Sequence, residues 1–279
     1  MHITTLIDNS EGQAGLTNEW GLSLHLEANG RKILFDTGST SAFASNAQKL
    51  NIDLRDVEAA VLSHGHYDHG GGLGAFFSAN DDAPLYLRTT ADGDHYYRMP
   101  FIRRYIGLDK NVLQANGGRL RWLSEDTEVA PGIHALTSIP ITELRLYVEK
   151  KIMVKEGERL VPDAFKHELA LVVKESDGIS VMTGCGHLGV LNMVQAAKAK
   201  WPDEPIKAVI GGFHAVSNPI TKGMASSPSG IEHMAERFKV LGCQRVISGH
   251  CTGKKASAIL KKVLKDDHDV LATGKVFDI

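Results

Sequence analysis

The chain has 279 residues, 43% hydrophobic and 23% charged, and its 31 basic and 33 acidic residues leave a net charge of −2. That is the make-up of an ordinary globular protein long enough for a sizeable core, and it provides no general electrostatic drive toward nucleic acid or an anionic membrane. No apolar run approaches the roughly 20 residues that span a bilayer. The N-terminus lacks the basic start and long apolar segment of a secretory signal. Three cysteines, Cys185, Cys243 and Cys251, with no CxxC pair, do not make a disulfide scaffold. A cytoplasmic setting is the expectation.

Short β-rich runs alternate with helical patterns. Met1 to Asp8 reads as a first strand. Gly21–Glu27 and Arg31–Asp36 flank Asn29-Gly30, the turn pair of a β-hairpin. A helix is expected over about Ser41–Leu50, then strands over Glu58–Leu62 and Pro84–Arg88. From about 91 to 116 the alternation breaks down, and we read a helical insertion there. Strands are expected again near Arg119–Leu123, Ile133–Thr137 and Leu144–Val154, with a turn at Glu156–Arg159. The second half is plainer: strands Leu169–Lys174 and Ile179–Thr183, a helix Gly189–Lys200, a strand Ile206–Ile210 and a loop Gly211–Pro228. Ser229-x-x-Glu232 has capping-box spacing, and Ile231, Met234, Ala235, Phe238 and Leu241 follow with helical period. Strand Arg245–Ser248, helix Lys254–Lys265 and strand Lys275–Ile279 complete a single domain, 1–279, with one insertion.

The chemistry is concentrated in Ser63-His64-Gly65-His66-Tyr67-Asp68-His69, which follows the apolar run Val57–Leu62. Imidazole nitrogen and carboxylate oxygen are the donors that zinc and similar divalent ions take. His64 and His66 can face one ion, with Asp68 and His69 turned to a second. Two later segments repeat the plan of an apolar strand and a glycine turn carrying a histidine: Thr183-Gly184-Cys185-Gly186-His187 and Ser248-Gly249-His250-Cys251. The predicted metal set is therefore His64, His66, Asp68, His69, His187 and His250, enough for two divalent ions. Zinc stands first, with manganese, iron or nickel as alternatives.

His214, also after a strand, is a candidate ligand, substrate donor or acid. His167 and Glu168 are candidates for a further ligand or a supporting partner. Cys185 could ligate as thiolate or be a small buried residue in its turn. Asp36 could hold a ligand imidazole in one tautomer or close an Asx turn. Gly70-Gly71-Gly72 lacks the Lys-Ser/Thr of a phosphate loop, and relief of crowding explains it better. The insertion carries His95, Tyr96, Tyr97, Arg98, Arg103, Arg104 and Tyr105. These side chains would suit a flat, anionic small molecule, or form a solvated helix with an apolar face.

The string His64-x-His66-x-Asp68-His69 after a strand, with Asp36-Thr37-Gly38 upstream, resembles the metallo-β-lactamase superfamily. Together with Glu19–Ser23, Thr183–His187, Gly211–His214 and His250–Gly253, it is similar to the branch labelled 7,8-dihydropterin-6-methyl-4-(β-D-ribofuranosyl)aminobenzene-5′-phosphate synthase. The resemblance implies an αββα sandwich with two metals at one edge. The metal constellation itself points to a metal-dependent hydrolase of an ester-like small molecule, with Asp68 and His214 the catalytic candidates, and the resemblance adds a phosphorylated substrate class. The alternatives are a synthase joining a pterin diphosphate to an aminobenzene ribosyl phosphate, and a non-catalytic sensor. Where the superfamily usually has an aspartate bridging both metals, this chain reads Gly184-Cys185-Gly186-His187, and His187 is the expected substitute.

Overall fold

The computed structural model describes residues 1–99, 101–143, 145, 149–216 and 223–279. Strands β1 (His2–Ile7), β2 (Ser23–Ala28) and β3 (Arg31–Phe35) form an antiparallel meander. Helix α1 (Ala42–Lys49) leads to β4 (Ala59–Val61), which pairs parallel to β3. The histidine loop opens into a single helical turn, α2 (Tyr67–Gly70), followed by α3 (Leu73–Ala79) and the parallel strand β5 (Leu85–Arg88).

The insertion departs from the sequence expectation. It is not helical: β6 (His95–Arg98) and β7 (Arg103–Tyr105) form a hairpin, and only α4 (Lys110–Ala115) is helical, capped by Asp109. Aromatic residues favour a pleated surface once a neighbouring strand covers it. The neighbour comes from far along the chain. After β8 (Leu120–Leu123), β9 (Thr127–Ala130) and β10 (Ile133–Leu136), strand β11 (Ile152–Glu156) pairs antiparallel with β6, and β12 (Arg159–Pro162) closes a four-stranded sheet. Of the expected strand Leu144–Val154, residues 144 and 146–148 lie outside the described residues.

The second half contains β13 (Ala170–Glu175), β14 (Gly178–Thr183), α5 (Val190–Lys200), β15 (Ile206–Gly212), α6 (Pro228–Val240), β16 (Cys243–Gly249), α7 (Gly253–Leu264), β17 (His268–Val270) and β18 (Val276–Asp278). The expected capping box at Ser229 shifts. Ser227 caps α6, accepting from the Gly230 N–H, because Pro228 takes the first helical position, where its fixed φ fits and its missing N–H costs nothing.

Two seven-stranded sheets result, ordered β18-β1-β2-β3-β4-β5-β8 and β17-β16-β15-β14-β13-β10-β9. Successive residues of a strand point to opposite faces, and the burial follows that rule. In β13, Leu171 and Val173 join the core between the sheets, whereas Ala170 and Val172 face the layer of α5, α6 and α7. In β3, Ile33 and Phe35 point inward, and Leu34 packs with Phe43 of α1 and Phe76 of α3. The architecture is αββα. Among the described residues no helix is long and apolar enough to cross a membrane.

This topology positions the site. Strands β3 and β4 run parallel in one sheet, and β14, β15 and β16 run parallel in the other. Parallel neighbours end on a common rim, where their loops gather. The segments that follow these strands begin at Asp36, Leu62, Gly184, Phe213 and His250.

Candidate metal centre and active site

Side chains that water normally solvates are packed here without it. His64 and His69 are fully buried, and His66, Asp68, His187 and His250 nearly so. Burial and neighbouring imidazoles push His64, His66 and His187 well below the ordinary histidine range, so these rings are neutral and their lone pairs are free to bind a cation.

Asp36 sets two of the tautomers. It ends β3 with φ +60°, and its Oδ1 accepts the Ser63 N–H at 2.7 Å. Its Oδ2 accepts His69 Nδ1–H at 2.6 Å and the Ser63 hydroxyl at 2.7 Å. With that proton committed, Ser63 Oγ accepts from His64 Nδ1 at 2.9 Å. One carboxylate thus leaves Nε2 bare on both His64 and His69. This is the tautomer-holding role considered for Asp36 in the sequence. Asn9 does the same for His250: its Oδ1 accepts Nδ1–H at 3.1 Å while its Nδ2 donates to the His250 carbonyl. The backbone of His250, at φ +48°, is anchored by its N–H to Asp8 Oδ2 at 2.7 Å.

The bare atoms converge. His69 Nε2 and His250 Nε2 are 3.2 Å apart, and Cys185 Sγ is 3.3 Å from each. Asp68 Oδ2 lies 3.5 Å from His250 Nε2 and accepts Trp20 Nε1–H at 2.8 Å. Lone pairs this close repel unless an electrophile sits among them. Donor atoms of Asp68, His69, Cys185 and His250 lie within 4.8 Å of one another, as do those of His64, Cys185 and His187, and those of His64, His66 and Asp68. Buried Nε2 atoms of His64 and His187 have no hydrogen-bond partner. These residues fit two adjacent divalent ions.

Cys185 belongs to two of these three sets, as do His64 and Asp68, and its thiol joins the His69–His250 group to the His64–His187 group. The sequence reading gave the shared position to His187. The structure instead puts the His187 ring parallel to Phe165 (4.2 Å between centroids) and beside His64, while Cys185 stands between the two groups. The turn allows this because residue 184 is glycine: a Cβ there would sit 2.0 Å from Ser63 Oγ. Gly71 is likewise dictated by crowding, since a Cβ would meet the Ser39 carbonyl oxygen at 2.2 Å.

Glu168 is not placed as a ligand. Its two oxygens accept the backbone N–H groups of His187 and Leu188 at 2.9 and 2.7 Å, and burial pushes its carboxyl up to about 7. His167 is engaged as well: Nδ1 accepts the Gly65 N–H at 2.9 Å and Nε2 meets Asp163 Oδ2 at 3.1 Å. His214, at φ +47°, lies 4.2 Å from the His187 ring and faces the cavity rather than the core.

That cavity, of about 620 Å³, opens over the donor groups. Its floor is His66, Asp68, Cys185, His187 and His214, and its walls include Trp20, Tyr67 and Tyr97. Arg98, Arg104 and Lys151 line it too, and the Arg104 guanidinium lies 5.1 Å from the Tyr67 ring centroid. Arg103, grouped with Arg98 and Arg104 in the sequence, does not line it. Trp20, Asn9 and Asp8 were not singled out individually from the sequence. A strand-terminal aspartate after β1, the same pattern as Asp36 after β3, was the available signal for Asp8.

Comparison with known proteins agrees with this architecture. Residues 21–201 match the metallo-beta-lactamase superfamily model, and the chain belongs to that superfamily. It is 28% identical over 98% of its length, and 95% of the relative's, to the 7,8-dihydropterin-6-methyl-4-(beta-D-ribofuranosyl)-aminobenzene-5'-phosphate synthase of Methanocaldococcus jannaschii. A crystal structure described as a metal-dependent hydrolase of the beta-lactamase superfamily covers all of this chain, and 99% of its own, at 31% identity and TM-score 0.85. The zinc-bound PqqB of Methylobacterium extorquens shares the fold at 12% identity and TM-score 0.61, each chain fully covered.

Proposed function

We propose that the protein is a metal-dependent hydrolase of an anionic, ester-like small molecule, a phosphorylated aromatic compound being the best fit. The observation that carries the reading is the pairing of two adjoining donor sets with a cavity walled by guanidinium, ammonium and aromatic groups. His64, His66 and His187 would hold one ion and Asp68, His69 and His250 the other, with Cys185 shared. Such ions supply Lewis acidity toward an ester oxygen and make water acidic enough to attack at neutral pH.

The chain's own groups do the rest. Asp68 is tethered through Oδ2 to Trp20 and faces the cavity, where its carboxylate can take a proton from an attacking water. Burial is outweighed by the adjacent imidazoles and the Trp20 Nε1–H on Oδ2, which hold that carboxyl below the usual carboxylate range. His214, across the floor, would deliver a proton to the leaving oxygen. Arg98 and Arg104 bind and orient the anionic part of the substrate, and Tyr67, Tyr97 and Trp20 cover its apolar face.

A second reading, a synthase that displaces diphosphate rather than admitting water, is favoured by the name of the Methanocaldococcus relative and by room in the cavity for two partners. The donor sets open onto the cavity, which supports catalysis over a closed sensor site. A phosphoester screen in ¹⁸O-water decides between the first two. Label in the released phosphate or alcohol is expected. Release of diphosphate with no label in either product would sink the hydrolase reading.

A further inference from the structure

Three rings at the centre have their tautomers set by identified partners: His64 and His69 through Asp36, and His250 through Asn9. His66 has no such partner among the hydrogen bonds. Its Nε2 is buried and unpaired, yet a ring that gives one nitrogen to a metal normally donates the other. Beside it stands a second unpaired buried atom, His95 Nε2. The two rings are 5.4 Å apart, edge to face, and one donor atom each from His66, His95, Asp163 and His167 lies within 4.8 Å of the others.

We propose that His95 and Asp163 are positioning residues for His66: Asp163 fixes His95 with Nε2 bare, and His95 accepts His66 Nε2–H, leaving His66 Nδ1 for the metal. Asp163 Oδ2 accepts His95 Nδ1–H at 2.8 Å, and its Oδ1 accepts the Phe165 N–H at 2.6 Å. The proposed bond requires the two rings, with donor atoms within 4.8 Å of each other, to close by rotation.

The same four residues resemble a further metal site, but the hydrogen bonds oppose that. His167 Nδ1 spends its lone pair on the Gly65 N–H, so Nε2 carries the proton and donates to Asp163. A metal at His167 Nε2 would need an imidazolate. The cluster is a carboxylate with two imidazole donors, and it belongs to the four-stranded sheet: His95 opens β6 and Asp163 follows β12. Through His95, the sheet that carries Tyr97 and Arg98 into the cavity also orients a ligand of the metal loop.

The inference rests on His66 being a ligand, so His66→Ala is the control. If that variant keeps full zinc, the ligand reading itself fails. Nitrogen-15 NMR of histidine-labelled, zinc-loaded protein is expected to show His66 protonated at Nε2 and His95 bare at Nε2. The opposite tautomer of either ring overturns the proposal without any substitution. Zinc affinity, measured by chelator competition, should fall about tenfold to a hundredfold in His95→Phe and in Asp163→Asn. His95→Gln, which restores an acceptor, should recover most of it. Equal affinity in His95→Phe and the parent, no recovery in His95→Gln, or a third zinc equivalent lost in Asp163→Asn would each overturn it.

Discussion

The paired main sheets and the small inserted sheet solve different problems. The main sheets bury long apolar strands on both faces: all six residues of β14 are buried, and donors stand at the strand ends in an environment that cannot yield. The inserted sheet is shallow. All three residues of β7 are exposed, and among the described residues the core beneath the sheet is the small cluster of Ile106, Ile152 and Phe165. Metal ligation needs donors held to fractions of an ångström, whereas substrate selection needs side chains on a surface that tolerates change. Under the proposed function, the first falls to the sandwich rim and the second to the inserted sheet.

The largest effect should come from breaking the rim. His250→Ala removes a ring held by Asn9 and leaves the backbone bond to Asp8 in place. We expect metal, measured by elemental analysis, to drop from about two equivalents toward one. Turnover should fall by more than the roughly 10- to 100-fold that lost outer partners of a metal ligand cost. Unchanged metal content would remove His250 from the ligand set. Stability should divide the two regions next. Ile210→Ala, in the core between the sheets, is expected to cost about 2–5 kcal/mol in urea unfolding. Ile152→Ala should cost less, because the small cluster around it can collapse. Equal losses would mean that the inserted sheet is as integral to folding as the sandwich.

The contrast also explains what could be read in advance. The loop from His64 to His69 is local, so its residue types and spacing marked it in advance, and the strand-turn-histidine repeats marked His187 and His250 as further donors, which the structure gathers at one place. The sharing of Cys185 was hidden, because it depends on the Gly184 turn passing against Ser63, over a hundred residues away in the chain. The insertion was misread for a related reason. His95-Tyr96-Tyr97-Arg98 becomes a strand by pairing with Ile152–Val154, a partner nothing local reveals. Asp163, which joins His95 to His167, likewise stands out only once those strands are together.

A smaller and more selective effect is expected on the cavity wall. Arg98→Ala and Arg104→Ala should raise KM for an anionic substrate about 10-fold or more each, with kcat and unfolding midpoint nearly unchanged, as for contacts made equally in ground and transition states. A matching fall in kcat would move these guanidinium groups into the chemical step and erase the division between the two regions.

The smallest effect tests whether the sandwich is rigid away from its metal rim. His268, in edge strand β17, meets Ser248 Oγ at 2.9 Å. Burial, then the positive charge of Lys261, lowers its pKa to about 4, with Asp269 opposing and Lys275 adding to the shift. The folded state therefore holds His268 neutral between pH 6.5 and 4, while the unfolded chain takes up a proton. Stability from this group is complete above pH 6.5 and is lost as the pH falls to about 4, at a slope no steeper than about 1.4 kcal/mol per pH unit. The buried metal-site histidines contribute an acid-sensitive loss of their own, so the measurement is the difference between parent and His268→Leu, both stripped of metal. In the variant Ser248 Oγ retains Ser257 Oγ at 3.2 Å, and about 1 kcal/mol of the parent's loss at pH 5.5 should disappear. If parent and variant decline in parallel from pH 7 to 4, the edge of the sandwich admits the proton and its water. Rigidity would then be a property of the rim's hydrogen-bond network rather than of the paired sheets.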